Sequence, residues 1–256
     1  MSSMTLQGKH AVITGAGRGI GAAIADRLAA AGAGLSLLGR NLELLQAKAI
    51  NLPDATAIAC DVTDAIAVQN AFAQAVAANG DVDILINNAG AAESLPFKKT
   101  DREHVQRMLD VNLIGPYQCM QAVVEGMVTK NAGRIINVAS TSALKGYSYV
   151  SAYAAAKHAI LGMSRCLALE LADKGVTVNA VCPGFTETDI VRESIANIMQ
   201  KTGRSEEQAR AELAKHNPQQ RLIQPEEVAA TVLWLCQPEA GAINGQAIAV
   251  AGGEVM

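Results

Sequence analysis

Length, composition and charge restrict the fold classes open to this chain. Of its 256 residues, 50% are hydrophobic, enough for one sizeable core, and the net charge of −3 excludes a disordered chain or a strongly basic nucleic-acid-binding domain. Only 3% are aromatic, so the core is built mainly from Ala, Val, Ile and Leu, a composition typical of parallel strands covered by helices on both faces.

Short apolar runs alternate along the chain with longer segments of helical periodicity. The predicted strands are Ala11–Thr14, Leu35–Leu38, Ala57–Cys60, Ile84–Asn87, Arg134–Val138, Thr177–Val181 and Ala247–Val250. The predicted helices are Gly19–Ala31, Leu42–Ile50, Ala65–Ala78, Asp101–Lys130 with a break near Gly115-Pro116, Tyr153–Asp173 and Pro225–Cys236. This alternation predicts an α/β fold, a Rossmann-like doubly wound parallel sheet of seven strands with helices on both faces.

No linker, repeat or low-complexity tract divides the chain, so residues 1–256 are predicted to form a single dinucleotide-binding and catalytic domain. The irregular part is the segment 185–221, in which the amphipathic stretch Ile190–Met199 leads into a charged run. It follows a strand, and ligands of open α/β sheets bind outside the carboxyl ends of strands. The segment is therefore either a substrate-loop insertion or an ordinary surface helical hairpin.

A glycine-rich turn, Thr14–Gly21, lies between the first predicted strand and the first predicted helix. Glycines permit a tight turn and a close approach of backbone to a pyrophosphate, and free N–H groups at the helix start attract the anion. The predicted ligand is a nucleotide. The residues predicted to contact it here are Gly15, Gly17, Arg18, Gly19, Ile20 and Gly21.

Tyr153 and Lys157 are four positions apart and lie on one face of a predicted helix. A tyrosine with its ordinary pKa of about 10 is a poor acid or base near neutrality. At roughly 5 Å and an effective dielectric of about 20, one ammonium stabilises the phenolate by about 3 kcal/mol, or about two pKa units. The pair by itself also fits a solvated helix face, and the glycine-rich turn favours the catalytic interpretation.

Further motifs follow in a characteristic order. Asp61-Val62 and Asn88-Ala89-Gly90 come at strand ends, Asn112 lies in a predicted helix, and Ser140 precedes Tyr153 by thirteen residues. Together with the glycine-rich turn and Lys157, these motifs resemble those of the short-chain dehydrogenase/reductase family over nearly the whole chain. The resemblance implies an enzyme that interconverts a ketone and a secondary alcohol by hydride transfer with a nicotinamide cofactor.

The resemblance also implies roles for individual residues. Tyr153 is expected to move a proton to or from the alcohol oxygen, Ser140 to hydrogen-bond that oxygen, and Lys157 to lower the pKa of Tyr153 and bind the nicotinamide ribose. Asn112 is expected to support a water that leads from Lys157 to solvent. The remaining cofactor contacts implied by the family are Asp61, Val62, Asn88, Ala89, Gly90, Tyr153, Lys157, Pro183, Gly184, Thr186 and Thr188.

The end of the second predicted strand determines the choice of nicotinamide. A carboxylate there binds the ribose hydroxyl of NAD, whereas arginine accommodates the phosphate of NADP. Arg40 stands at this end without an acid, and Arg18 offers a second cation. NADP(H) is therefore favoured and NAD(H) remains open, because both arginines also fit stacking on adenine or exposure to solvent.

Within the family, the sequence around Tyr153 and Pro183 is similar to that of 3-oxoacyl-thioester reductases and polyketide ketoreductases. The first hypothesis is a 3-oxoacyl thioester as substrate, with the apolar face of Ile190–Met199 as an acyl channel and nearby cations meeting phosphates or an acidic carrier. The alternatives are an NAD-dependent dehydrogenase of a secondary alcohol, diol or hydroxysteroid and, from another class, a non-catalytic nucleotide-binding sensor. The predicted substrate contacts are Ser140, Ser142, Tyr147, Tyr149 and Tyr153.

Location and assembly follow from weaker signals. The first ten residues lack a signal-peptide core and no apolar segment is long enough to cross a bilayer, so a cytoplasmic protein without a membrane or nucleic-acid partner is expected. The five cysteines and four histidines show no ligand spacing, so no metal site is predicted. The family resemblance implies a homotetramer through the helices at 112–130 and 153–173.

Overall fold

A seven-stranded parallel sheet forms the centre of the fold. The computed structural model describes residues 5–256. Residues 1–4 belong to the predicted domain and to the first ten residues analysed for a signal peptide, and they lie outside the described residues. The strand order is β3-β2-β1-β4-β5-β6-β7, and every neighbouring pair is parallel. The strands are β1 His10–Thr14, β2 Gly34–Gly39, β3 Ala55–Ala59, β4 Ile84–Asn87, β5 Gly133–Val138, β6 Val176–Pro183 and β7 Ala247–Val250. The predicted doubly wound sheet is confirmed.

Helices connect the strands. They are α1 Gly19–Ala30, α2 Leu42–Ala49, α3 Ala65–Asn79, α4 Arg102–Leu109, α5 Gly115–Thr129, α6 Ser151–Glu170, α7 Asp189–Thr202, α8 Glu206–Ala214 and α9 Pro225–Cys236. Short 3₁₀ turns lie at Phe97–Lys99, Thr141–Ala143, Ala172–Lys174 and Pro238–Ala240. In the described residues, no helix has both the length and the apolar character needed to cross a membrane.

The core is split by the sheet into two layers, because the strands are apolar on both faces. Val12 points into the layer beneath α3, α5 and α6, whereas its neighbours Ala11 and Ile13 point into the layer beneath α1 and α9. All three are fully buried. Covering both faces of a strand requires continuous apolar runs, which is why these segments do not show the alternation of a half-exposed strand.

The predicted helix break near Gly115-Pro116 takes a different form. The five residues Asp110–Ile114 form a π-helical turn that joins α4 to α5, and Pro116 is accommodated in the first turn of α5, where a missing N–H costs nothing. A Cβ on Gly115 would lie 2.7 Å from Val62 Cγ2, so the close approach of α5 to the end of β3 needs glycine there. The turn carries Asn112.

The segment 185–221 contains α7 and α8, which pack on each other through a small apolar cluster of their own. This cluster contains Val191 and Ile195 from α7 and Ala209 and Leu213 from α8, with Phe185 and Ile198 packed against it. Ile195 is therefore committed to the contact between α7 and α8, while Ile190 and Met199 of the same helix stay 43% and 37% exposed.

Candidate active site

The candidate site lies where the sheet order reverses, between the neighbouring strands β1 and β4. The buried Thr14 hydroxyl, at the end of β1, accepts the N–H groups of Asn88 and Ala89, each at 3.0 Å, just past the end of β4. Asn88 Nδ2 donates in return to the carbonyl oxygens of Thr14 at 3.0 Å and Gly15 at 3.1 Å. Two predicted motifs are thus hydrogen-bonded to each other. Thr14 was not predicted as a site residue.

The glycine-rich turn packs closely against the start of α1 at Gly21. A Cβ on Gly21 would lie 2.2 Å from the Gly15 carbonyl oxygen and 2.5 Å from Asn88 Nδ2. Helix α1 begins at Gly19, so the free N–H groups of its first turn lie directly after the turn. Gly17 and Ile20 lie in the same turn and helix start. The structure brings these predicted contacts together at the N-terminus of one helix.

The two predicted phosphate-binding arginines differ in their surroundings. Arg18 Nη1 lies 3.2 Å from Asp189 Oδ2 at the start of α7, so the glycine-rich turn is paired with the segment after β6. Arg40 is exposed at the end of β2, beside a shallow depression that it lines with Asn41, Leu42 and Glu43. Within residues 5–256, Arg40 forms no ion pair. The pKa of Asp61 lies below its ordinary value mainly because of the Thr63 backbone N–H, and the charge of Arg40 contributes to this lowering.

Tyr153 and Lys157 lie on one face of α6, as their spacing predicts. Lys157 Nζ is 5.7 Å from the centre of the Tyr153 ring and donates to the Val138 carbonyl at 2.9 Å. That carbonyl ends β5, so the lysine fixes the start of α6 to the sheet. The ammonium is buried and lies beside the tyrosine ring.

Burial dominates the acidity of both groups. It raises the pKa of Tyr153 above its ordinary value, a shift opposed by the nearby Ser140 hydroxyl, and it lowers the pKa of Lys157 to about 8. Burial is the main cause of the tyrosine shift, and the expectation that Lys157 lowers the tyrosine pKa stays a prediction. At pH 7 Tyr153 is protonated and Lys157 carries its charge.

Ser140 stands between β5 and the 3₁₀ turn Thr141–Ala143 and caps that turn. Its Oγ accepts the Ser142 N–H at 3.0 Å, and the same hydroxyl is close enough to Tyr153 to oppose the rise in the pKa of the phenol. The Ser142 side chain is buried. The predicted spacing of thirteen residues between Ser140 and Tyr153 therefore corresponds to contact between a turn and a helix end.

Asn112 is buried and its orientation is fixed by two backbone carbonyls. Its Nδ2 donates to Ala91 at 2.9 Å and to Met108 at 3.0 Å, which uses both amide hydrogens. Its Oδ1 has no hydrogen-bond partner within the described residues. A Cβ on Gly90 would lie 2.9 Å from this oxygen and 3.7 Å from Lys157 Nζ, so both polar atoms flank the same glycine. A buried acceptor without a partner is costly, and this one lies beside the same glycine as the ammonium.

A buried polar chain that sequence analysis did not assign to the site ties the sheet to α6. Asn87 Nδ2 donates to Asn137 Oδ1 at 2.9 Å, and Asn137 Nδ2 donates to Ser164 Oγ at 2.8 Å. Asn87 ends β4, Asn137 lies in β5 and Ser164 in α6. The chain fixes the register of the helix that carries Tyr153 and Lys157. The signal for it was two polar residues inside otherwise apolar strands.

The segment after β6 lies against the glycine-rich turn. A Cβ on Gly19 would lie 3.2 Å from Thr188 Cγ2, and Thr188 itself donates to the Thr186 carbonyl at 3.2 Å. Thr186 is buried and donates to the Gly184 carbonyl at 2.9 Å. Of the predicted cofactor contacts Pro183, Gly184, Thr186 and Thr188, the structure therefore places Thr188 against the glycine-rich turn, with Thr186 hydrogen-bonded to it.

The cations of the segment 185–221 are mostly neutralised by carboxylates. Arg204 lies 3.1 Å from Glu212, which also pairs with Lys215, and Arg210 pairs with Glu187. These pairs are partly exposed and exposed ion pairs are weak, so the hypothesis that the cations meet phosphates or an acidic carrier stays a prediction.

The predicted substrate tyrosines have different environments. Tyr149 is 65% exposed, has a positive φ of 70° and accepts the Leu95 N–H at its carbonyl, 2.8 Å away. Tyr147 packs edge-on against Phe185, with ring centres 6.0 Å apart. Its hydroxyl donates to the carboxylate of Glu254, a residue that sequence analysis missed because it lies 107 positions away.

The comparisons with known proteins agree with this geometry. A family model described as enoyl-(acyl carrier protein) reductase matches residues 15–254. The chain belongs to the short-chain dehydrogenase/reductase family. It is 40% identical over 247 residues to the short-chain reductase protein NovJ of Streptomyces niveus, covering 95% of this chain and 92% of the relative.

Two further relatives are similar over nearly their whole length. The 3-oxoacyl-(acyl-carrier-protein) reductase FabG of Vibrio harveyi is 36% identical over 256 residues, covering 99% of this chain and 100% of the relative. A crystal structure of a variant actinorhodin polyketide ketoreductase with NADPH superposes with a TM-score of 0.93 at 34% identity, covering 96% and 97% of the two chains. As a short-chain dehydrogenase/reductase, this protein is an NAD(P)-dependent oxidoreductase acting on CH–OH groups.

Proposed function

We propose that this short-chain dehydrogenase/reductase is an NADP(H)-dependent ketoreductase, which interconverts a 3-oxoacyl thioester and its 3-hydroxyacyl form. The observation that carries the proposal is the convergence of Ser140, Tyr153, Lys157 and Asn112 beside a glycine-rich anion site at the switch point of the sheet. The names of the relatives NovJ and FabG and of the actinorhodin ketoreductase support it.

The proton chemistry follows from the positions of these groups. Tyr153 is protonated at neutral pH, because an ordinary phenol already is and burial raises the pKa of this one further, and a protonated phenol is the donor that an alkoxide oxygen needs. Ser140, close to Tyr153, stabilises the same oxygen as negative charge develops. Bound NADPH supplies the hydride.

Lys157 and Asn112 supply the route by which the tyrosine regains its proton. The Lys157 ammonium and the Asn112 Oδ1 atom flank Gly90, and a water that accepts from the ammonium and donates to Oδ1 satisfies both. Lys157 has a pKa of about 8, close to the working pH, so it gives and regains a proton easily. Asn112 keeps its acceptor free for this water because its two hydrogens are already bonded.

The residues present fit a phosphorylated dinucleotide. The glycine-rich turn, packed so closely on α1 that no Cβ fits at Gly21, and the free N–H groups at the start of α1 suit a pyrophosphate. Asp61, Val62 and Asn88 to Gly90 lie after the neighbouring strands and would contact the rest of the cofactor. Lys157 would hold the nicotinamide ribose, and Thr188, with Thr186 beside it, would hold the nicotinamide amide.

Arg40→Ala is expected to lower the ratio of kcat/KM for NADPH to that for NADH by at least about tenfold, because one arginine–phosphate contact is lost. The ratio is measured with one ketone substrate at saturating concentration. Arg102→Ala, which removes an exposed arginine of α4, is the matched control and is expected to leave the ratio unchanged. An unchanged ratio in Arg40→Ala would show that Arg40 only faces solvent or adenine.

The substrate class is tested with a panel of ketones assayed with NADPH. Values of kcat/KM are expected to be highest for 3-oxoacyl thioesters and lower for cyclic ketones and diols, because remote contacts with the acyl and pantetheine parts contribute binding energy at the reacting centre. Equal or better rates on cyclic ketones or diols, or with NAD and secondary alcohols, would replace the thioester proposal by the dehydrogenase alternative.

We also propose that residues 1–256 act as one domain, with 185–221 as its substrate-loop insertion, and that the protein is a cytoplasmic homotetramer. Support for assembly comes from α6, on which the apolar side chain of Leu169 is 80% exposed. An apolar side chain this exposed on a helix gains free energy when a partner covers it.

A further inference from the structure

Glu254 places a buried carboxylate at the edge of the candidate active site. Its side chain is only 1% exposed although it is near the end of the chain. The Tyr147 hydroxyl lies 2.5 Å from Oε1, and Lys145 Nζ lies 3.2 Å from the same oxygen. A buried carboxylate is stable only when it is paired and hydrogen-bonded, so Tyr147 and Lys145 hold it in one position.

The Tyr147 hydroxyl connects this carboxylate to Thr141. It lies 2.6 Å from Thr141 Oγ1 as well as 2.5 Å from Glu254. A phenol can donate one hydrogen bond, and Tyr147 donates it to the carboxylate because the charge-assisted bond is the stronger one. Thr141 therefore donates its own hydroxyl to Tyr147, and the direction of the chain is fixed from Thr141 through Tyr147 to Glu254.

Thr141 follows Ser140 directly and begins the 3₁₀ turn that Ser140 caps. Within the turn, the backbone N–H groups of Leu144 and Lys145 donate to the Thr141 carbonyl at 2.9 and 3.0 Å. Outside the turn, Tyr147 and Glu254 hold the Thr141 side chain. The position of Ser140 thus depends on a hydrogen-bonded chain that ends on the carboxylate.

The other oxygen of Glu254 faces the segment after β6. A Cβ on Gly184 would lie 2.9 Å from Oε2, so the carboxylate packs against the backbone of Gly184. The Tyr147 ring meanwhile packs edge-on against Phe185. The carboxylate consequently holds the Ser140 turn and the start of the 185–221 segment against each other.

We propose that Glu254 is a positioning residue for ketone reduction, acting through Tyr147 and Thr141 on the turn that carries Ser140. This inference rests on the proposed role of Ser140 at the substrate oxygen. Tyr147 then positions the site and does not contact the substrate through its hydroxyl, because that hydroxyl is hydrogen-bonded to both Thr141 and Glu254. Burial and the Glu254 carboxylate raise the pKa of Tyr147, which keeps it a donor across the working pH range.

The test compares Tyr147→Phe, Glu254→Ala, Glu254→Gln and the double variant Tyr147→Phe/Glu254→Ala. Tyr147→Phe and Glu254→Ala are expected to lower kcat by about tenfold to a hundredfold, since a displaced catalytic group costs up to roughly a hundredfold. The Kd of NADPH, measured by fluorescence titration, is expected to stay within about twofold of the unaltered protein. Glu254→Gln keeps an oxygen that accepts from Tyr147 and is expected to recover most of kcat.

The double variant separates a connected chain from two independent contacts. Because both substitutions break the same chain, the double loss of kcat is expected to equal the larger single loss rather than their product. Tyr117→Phe on α5 and Glu239→Gln in a surface 3₁₀ turn remove the same groups at exposed positions and serve as controls. If Glu254→Ala does not fold, Tyr147→Phe and Glu254→Gln decide by the same criteria.

Single-variant kcat values within about twofold of the unaltered protein, or losses that multiply, would overturn the positioning role. If Tyr153→Phe is inactive in the same assay, that result leaves the proposed function intact. Retained turnover in Tyr153→Phe would instead overturn the proposed function and this inference together.

Discussion

Tyr153→Phe is expected to reduce kcat for ketone reduction by about 10³-fold or more, because the substitution removes the proton donor and leaves the ring in place. The affinity for NADPH is expected to stay unchanged, since one oxygen is lost and little volume. Initial rates of NADPH oxidation give kcat, and fluorescence titration gives the Kd of the cofactor.

Tyr117→Phe is the matched control, because it removes a phenol hydroxyl from a partly exposed position on α5. If Tyr153→Phe keeps more than about a tenth of kcat, Tyr153 is not the group that transfers the proton. An unaltered protein that binds NADPH but turns over none of the ketones would instead identify a nucleotide-binding sensor.

Gly21→Ala is expected to lower the free energy of unfolding by about 3 kcal/mol or more and to abolish NADPH binding, because the added methyl meets backbone rather than a flexible side chain. The new Cβ would lie 2.2 Å from the Gly15 carbonyl oxygen and 2.5 Å from Asn88 Nδ2. To fit it, the start of α1 has to move away from Gly15 and from Asn88. Thermal unfolding with and without NADPH measures both effects.

The control is Gly126→Ala in α5, where a Cβ would meet nothing within 4 Å. Alanine favours a helix over glycine by about 1 kcal/mol, so this variant is expected to be as stable as the unaltered protein or slightly more stable, with NADPH binding intact. Equal thermal stability of the two variants would contradict the close packing around Gly21.

The fold could be predicted from local sequence because its elements depend on short-range signals. The run Ile84–Asn87, for example, is short, apolar and bounded by polar residues, and β4 has the same bounds. The bounds of most other strands differ from the predicted ones by one or two residues. The π-helical turn Asp110–Ile114 could not be predicted, since the hydrophobic period of α4 continues through it into α5. Gly115 and Pro116, which follow it, predicted where the helix becomes irregular but not that a π-helical turn forms there.

The candidate site was predictable where motifs lie close together in sequence. Tyr153 and Lys157 share a helix face because of their spacing, and Ser140 reaches them from the preceding turn. The contacts across long separations were not predictable: Arg18 pairs with Asp189, and Tyr147 with Glu254. Neither pair shows a sequence pattern. The pKa of Tyr153 also depends on burial, which spacing does not reveal.

The Thr14 hydroxyl, which accepts the N–H groups of both Asn88 and Ala89, has a consequence for how the protein adapts to ligands. It joins the ends of β1 and β4, so a dinucleotide bound at this edge is expected to meet a preorganised surface and to lose little conformational entropy there. With 185–221 as the proposed substrate-loop insertion, adjustment to substrates of different size is expected to fall to α7 and α8, which pack through an apolar cluster separate from the two layers of the sheet. Cofactor recognition would then depend on a rigid part of the fold and substrate choice on a more adaptable one.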